Sequence, residues 1–221
     1  MRKFLFLLSA LCLLASCNQK SDDLTGKFII EGEVCDNSCD SAQIFLVPLT
    51  EPATHETVDS VYIIDGKFRF EGTKTRIAAL RLQMPQRLKF QELLVYTEPG
   101  TIKAKLAEIG SVTGTKHNDL IQEWKTTQEE CLKIRAEVLE QCNGNYQAPA
   151  YVAVYDSLNK VMGEATYKFL KSTDVNPLSN FFYLNNKGHM TQEQIDDLKP
   201  HQEYYEHVLD SIRKVRAAEN K

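Results

Sequence analysis

The sequence predicts an α+β fold: an N-terminal antiparallel β-sandwich or barrel over residues 25–115, then a helical subdomain over 116–218. Three observations carry this. Apolar residues alternate with a period of two in short runs as far as Leu106. Turn dipeptides, Asp65-Gly66 and Pro99-Gly100, punctuate those runs. After Gly114 the apolar spacing changes to steps of three, four and seven, the pattern of one helix face.

The first strand is expected over Lys27–Cys35 and the second over Gln43–Leu49, where Pro48 suggests an edge or an ending. Val61–Glu71 is the clearest element. Asp65-Gly66 suits a two-residue hairpin, and Phe68 and Phe70 alternate with Lys67, Arg69 and Glu71, which puts both rings on a core face. Further strands are expected over Ile77–Met84, Glu92–Thr97 and Thr101–Leu106. In the helical half, Leu120, Trp124, Cys131, Ile134, Val138 and Cys142 form one stripe, with Thr115 or Asn118 as N-cap and Asn143-Gly144-Asn145 as the stop. Pro149 opens a second helix with an apolar face from Tyr151 to Phe169. Asn176-Pro177 reads as N-cap and N1 of a short third helix. Thr191 and Gln194 fit a capping box, Pro200 reads as an interruption, and Tyr204–Val215 forms the last helix.

The N-terminus reads as an address. Arg2 and Lys3 precede an apolar run from Phe4 to Ala15. Such a run is too short for a stable membrane span, which needs about 20 apolar residues. It has the proportions of a signal-peptide core. Leu14-Ala15-Ser16-Cys17 resembles a bacterial lipobox, which implies a signal peptide over 1–16, a lipid such as palmitate on Cys17, and a membrane partner held through that anchor. An ordinary signal peptide cut after Ser16, with Cys17 incidental, is the alternative. Residues 17–24 then form a polar tether. Within it Lys20, Asp22 and Asp23 resemble a surface-export signal of outer-membrane lipoproteins; without that signal the anchor would face the periplasm.

Removing the first 16 of 221 residues leaves enough chain for one large domain or two small ones. A net charge of −4 with no basic block argues against a nucleic-acid partner, whose phosphates need clustered Lys and Arg. Beyond Cys12 and Cys17, four cysteines remain. Cys35 and Cys39 flank a turn-like tripeptide, so a local disulfide closing that loop is one expectation. Cys131 and Cys142 would lie about 16 Å apart on a straight helix, too far to bond. Buried structural thiols and a redox role both stay open for them. The five histidines show no metal-ligand spacing, and neither a Gly-x-Ser-x-Gly elbow nor a glycine-rich phosphate loop is present. The expectation is therefore no enzyme, no metal and no cofactor.

Several of these residues together carry a resemblance. A Gly-containing first strand, the Asp65-Gly66 turn with Phe68-x-Phe70, Tyr96-Thr-Glu-Pro-Gly100 and Val112-Thr-Gly-Thr-x-x-Asn118 resemble a domain of unknown function found at the N-terminus of thioredoxin-like and alkyl-hydroperoxide-reductase-like lipoproteins. The Asn176-Pro177 helix and the closing helices resemble the linker that follows it. The resemblance covers residues 25–216 and implies an exported accessory or binding module, whose partner would be an envelope protein or an extracellular ligand. Such relatives continue into a thioredoxin fold with a Cys-x-x-Cys pair. No Cys-x-x-Cys occurs in these 221 residues, so the relatives' thiol chemistry does not transfer. An alternative role is that of a redox partner or helper of an exported thioredoxin-like protein, using Cys35 and Cys39.

Overall fold

The computed structural model describes residues 25–219. Cys17, Lys20, Asp22 and Asp23, with the expected signal peptide and tether, lie outside the described residues. Eight strands precede five α-helices. The strands are β1 (Phe28–Val34), β2 (Gln43–Pro48), β3 (Asp59–Tyr62), β4 (Lys67–Gly72), β5 (Ile77–Leu82), β6 (Leu93–Tyr96), β7 (Gly100–Leu106) and β8 (Ser111–Thr113). They form two four-stranded sheets, ordered β4-β1-β7-β8 and β3-β2-β5-β6. The α+β class and the sandwich are as the alternation predicted, and the two sheets do not close into a barrel. One pairing departs from an all-antiparallel arrangement: β1 and β7 run parallel, with Phe28 opposite Gly100 and Val34 opposite Leu106.

Alternation explains the core. Phe28, Ile30 and Val34, then Phe68 and Phe70, then Ile102, Ala104 and Leu106 face inward from the first sheet. Ile44 and Leu46, Leu80 and Leu82, and Leu93 and Val95 meet them from the second. Two glycines make room for rings on the facing strand. A Cβ on Gly32 would lie 1.9 Å from the Phe68 ring, and one on Gly72 would lie 2.6 Å from Phe28. These are directly opposed pairs of β1 and β4, so each glycine leaves the space its partner's ring fills.

The Asp65-Gly66 turn forms as expected, with φ of +52° and +70° and two backbone hydrogen bonds joining Ile64 and Lys67. It does not join two strands of one sheet. β3 pairs with β2 in the second sheet and β4 with β1 in the first. The turn is a corner between the sheets, and fully buried Ile63 plugs it.

The helices are α1 (Lys116–Gln141), α2 (Pro149–Lys171), α3 (Pro177–Asn186), α4 (Gln192–Asp197) and α5 (Lys199–Glu219). Asn176 caps α3 reciprocally with Ser179, and Thr191 caps α4 reciprocally with Gln194, as the latter's sequence pattern predicted. Pro200 does not interrupt a helix. It sits in the first turn of α5, where a missing N–H costs nothing. α1 and α2 form an antiparallel pair linked through Asn143 and Gly144, both at positive φ.

The predicted apolar stripe of α1 holds for only part of its length. Ile121 and Cys131 are buried, but Ile134 is 43% exposed and Cys142 is half-buried. A helix of 26 residues is about 39 Å long, and its far half leans mainly on α2. Nearer the sandwich, Trp124 packs edge-on against Phe182 and donates its indole N–H to Thr166 Oγ1 at 3.0 Å. Phe182 stacks on Phe169 at 4.0 Å between ring centres. The same hydrophobic cluster runs from the sandwich through Tyr96 and Ile121 to Phe182 and Leu198, so the strand half and the helix half share one core.

Candidate functional site

The first turns of α1 close one side of the sandwich with side chains. Asn118, fully buried, accepts from the Tyr96 N–H at 2.9 Å and donates to the Tyr96 carbonyl at 2.8 Å and to Thr115 Oγ1 at 2.7 Å. Its carboxamide thereby substitutes for a neighbouring strand beside β6. Gln122 Oε1 accepts from Val112 N at 2.9 Å, and Lys125 Nζ donates to the Gly110 carbonyl at 2.6 Å. Of the two N-cap candidates, Thr115 holds the position, without a side-chain cap. Asn118 has this other use. Backbone groups that an edge strand would leave free for other chains are satisfied here.

Beside this seam, Glu98 accepts the backbone N–H of His117 at 2.8 Å and pairs with its ring. Burial pushes the Glu98 carboxyl up, but hydrogen bonds from Thr115 and His117 outweigh it and leave the group below the usual carboxylate range. This half-buried pair fastens strand end to helix start.

The outward face of the first sheet is of a different kind. Strand register sets its side chains in two rows: Arg69, Glu31, Lys103 and Thr113, then Lys67, Glu33, Lys105 and Ser111. Adjacent members stand about 4.8 Å apart across the sheet. They line an open groove of about 740 Å³, with Tyr62 and Ile64 also on its wall, 61% and 68% exposed. Arg69 bridges Glu31 at 3.2 Å and Glu71 at 2.7 Å, and Lys105 reaches Glu33 at 3.4 Å. The hydrogen bond to Glu33, with Cys35 close by, holds the Lys105 ammonium above its usual range. Lys67 and Lys103 make no ion pair among the described residues. The groove lining carries four cations and two carboxylates, a local excess of positive charge on a chain whose net charge is −4. On the second sheet the outward Val47, Ile77, Ala79 and Tyr96 are buried, and Phe45, Arg81 and Leu94 are half-buried.

Cys35 follows β1 on the surface, and its N–H donates to the Leu106 carbonyl at 3.1 Å. Cys39 is fully buried beneath a turn in which Ser38 N–H donates to Asp36 Oδ1 at 2.8 Å. Both are free thiols, as are Cys131 and Cys142. Desolvation pushes the Cys39 and Cys131 thiols up, away from the reactive thiolate. Among the described residues, no group of three or more His, Cys, Asp or Glu could hold a metal ion, and no helix is long and apolar enough to cross a membrane.

The groove was missed in the sequence because its residues read as ordinary solvent-facing positions. A signal was present: Glu31-x-Glu33 and Lys103-x-Lys105 carry opposite charge at the same period, which suits neighbouring strands in register.

Fold and face together define a β-sandwich with one solvent-open charged surface and a helical buttress. The model of a family described as a domain of unknown function, DUF4369, matches residues 28–121. That stretch contains every strand, the whole charged face and the Asn118 clamp. No curated protein and no solved structure matches the chain.

Proposed function

We propose that this chain is a non-catalytic, lipid-anchored envelope module that holds a ligand on the outward face of its first sheet. The anchor is the lipid on Cys17, and Lys20, Asp22 and Asp23 direct the protein to the outer surface of the outer membrane. One observation carries the binding role: the groove gathers charged and hydroxyl side chains from four strands into registered rows and leaves two lysines without an ion-pair partner among the described residues. The alternative, a redox helper acting through Cys35 and Cys39, has less support, because Cys39 is buried and its thiol is held protonated.

The test uses the native lipoprotein in its own cells. A photo-crosslinking amino acid replaces Tyr62 in the groove wall or, as a control, Tyr146 on the far end of the helical pair. A discrete adduct from position 62, absent at 146 and abolished by Lys103→Glu with Lys105→Glu, is the expected result. Adducts at 146 alone, or at 62 regardless of the lysines, would overturn the assignment. In the same cells a clickable palmitate analogue should label the wild type, and Cys17→Ala should lose the label.

A further inference from the structure

We infer that the ligand of this face is an acidic oligosaccharide, one whose sugar units carry carboxylates. This rests on the face being the binding site, and deepens it.

Charge comes first. The groove residues are net positive, and Lys67 and Lys103 have no carboxylate partner among the described residues. A ligand that supplies carboxylates to those two ammonium groups gains charge-assisted hydrogen bonds. A neutral ligand would leave them as they are.

The middle of the groove discriminates among anions. Glu31, Glu33, Lys103 and Lys105 occupy it, on the two central strands. A protein partner would press an apolar interface core onto those charges, and the centres of protein interfaces are depleted in charged residues for that reason. Withdrawing four charges from water without equivalent partners is unfavourable. A sugar hydroxyl is both donor and acceptor, so it can donate to Glu31 or Glu33 and accept from the neighbouring Lys or Arg. The rows alternate acceptor and donor at strand spacing, which a polyhydroxylated chain can follow. Ser111 and Thr113 continue each row with hydroxyls of their own.

Tyr62 completes the site. Its ring is 61% exposed on the groove wall, where a tyrosine is free to offer an apolar face with a polar tip. The C–H face of a pyranose ring suits that surface. An acidic peptide would satisfy the lysines as well, but the polar centre offers its side chains no apolar pocket.

The experiment is calorimetric titration of the full chain with tetragalacturonate, its methyl ester and tetraglutamate. Tetragalacturonate should bind. The uncharged ester should bind about tenfold more weakly or worse, as should Lys67→Gln and Lys103→Gln with the acid, since each lost charged hydrogen bond is worth that much. Both lysines are exposed, so the variants should keep the wild-type circular dichroism spectrum. Ester binding equal to the acid, tetraglutamate binding equal to tetragalacturonate, or no heat with tetragalacturonate at millimolar concentration would each overturn the oligosaccharide assignment. A lysine-dependent adduct at position 62 in cells would then still stand, so failure of the ligand class is distinguishable from failure of the face.

Discussion

Replacing Asn118 with alanine should cost far more than its place at the start of a helix suggests. The carboxamide is fully buried and satisfies both backbone groups of Tyr96 at 2.8–2.9 Å, with a third bond to Thr115. In Asn118→Ala the Tyr96 N–H loses its partner beside a sheet edge, while the Tyr96 carbonyl keeps the Glu98 N–H at 2.9 Å. A buried polar group left unpaired costs about 1–3 kcal/mol. One such group, with about 1 kcal/mol more for the lost bond to the carbonyl, gives about 2–4 kcal/mol. For a domain of this size that is a fall in Tm of about 5–15 °C. Urea titration gives the free energy, and hydrogen exchange at the Tyr96 amide gives the mechanism. Asn185→Ala is the control, because Asn185 donates to the Phe181 carbonyl on an exposed helix surface, and it should lie within about 0.5 kcal/mol of wild type. A loss below about 1 kcal/mol for Asn118→Ala, or a Tyr96 amide as well protected as before, would refute the clamp.

Two further outcomes follow from packing and burial. Gly32→Ala places a methyl group 1.9 Å from the Phe68 ring, so the ring must leave its site and stability should fall by about 1–3 kcal/mol; in the double variant with Phe68→Ala the two losses should sum to more than is measured, and simple additivity in a double-mutant cycle would refute the contact. His201 is 7% exposed, and burial holds its pKa below the ordinary value, with Lys171 pushing the same way and a backbone contact at Thr173 opposing. The unfolded chain therefore takes up that proton first as pH falls below about 6.5, so the histidine's contribution is complete above that pH and is lost as pH drops toward its lowered folded value. His201→Leu should flatten that acid-side slope of the urea midpoint against pH, and an unchanged slope would contradict the assignment.

Much of the fold was legible because its signals are local. Phe68-x-Phe70 alternates regardless of which sheet it joins, and Thr191 caps α4 with a residue three positions away. What was not legible depends on contacts distant in sequence. Nothing near Asp65-Gly66 says that β3 and β4 part into different sheets, because the turn chemistry is the same for a hairpin and a corner. Asn118 reads as a cap since its real partner, Tyr96, is 22 residues away. The stripe on α1 could be seen, but not that its far half packs mainly on α2 and stays largely exposed. The charged face had the same obstacle. Its two central strands are separated by most of the sandwich and pair in parallel, so the rows exist only after folding.

The most direct measurement is hydroxyl-radical footprinting of the lipoprotein in intact cells against the purified protein, read by mass spectrometry. Tyr62 and Ile64 should lose reactivity in cells, while Tyr146 and Leu132 on the helical pair, also exposed in the structure, keep theirs. Protection of the helical pair with Tyr62 and Ile64 as reactive as in the purified protein would contradict a ligand on the first sheet and move the binding surface to α1 and α2.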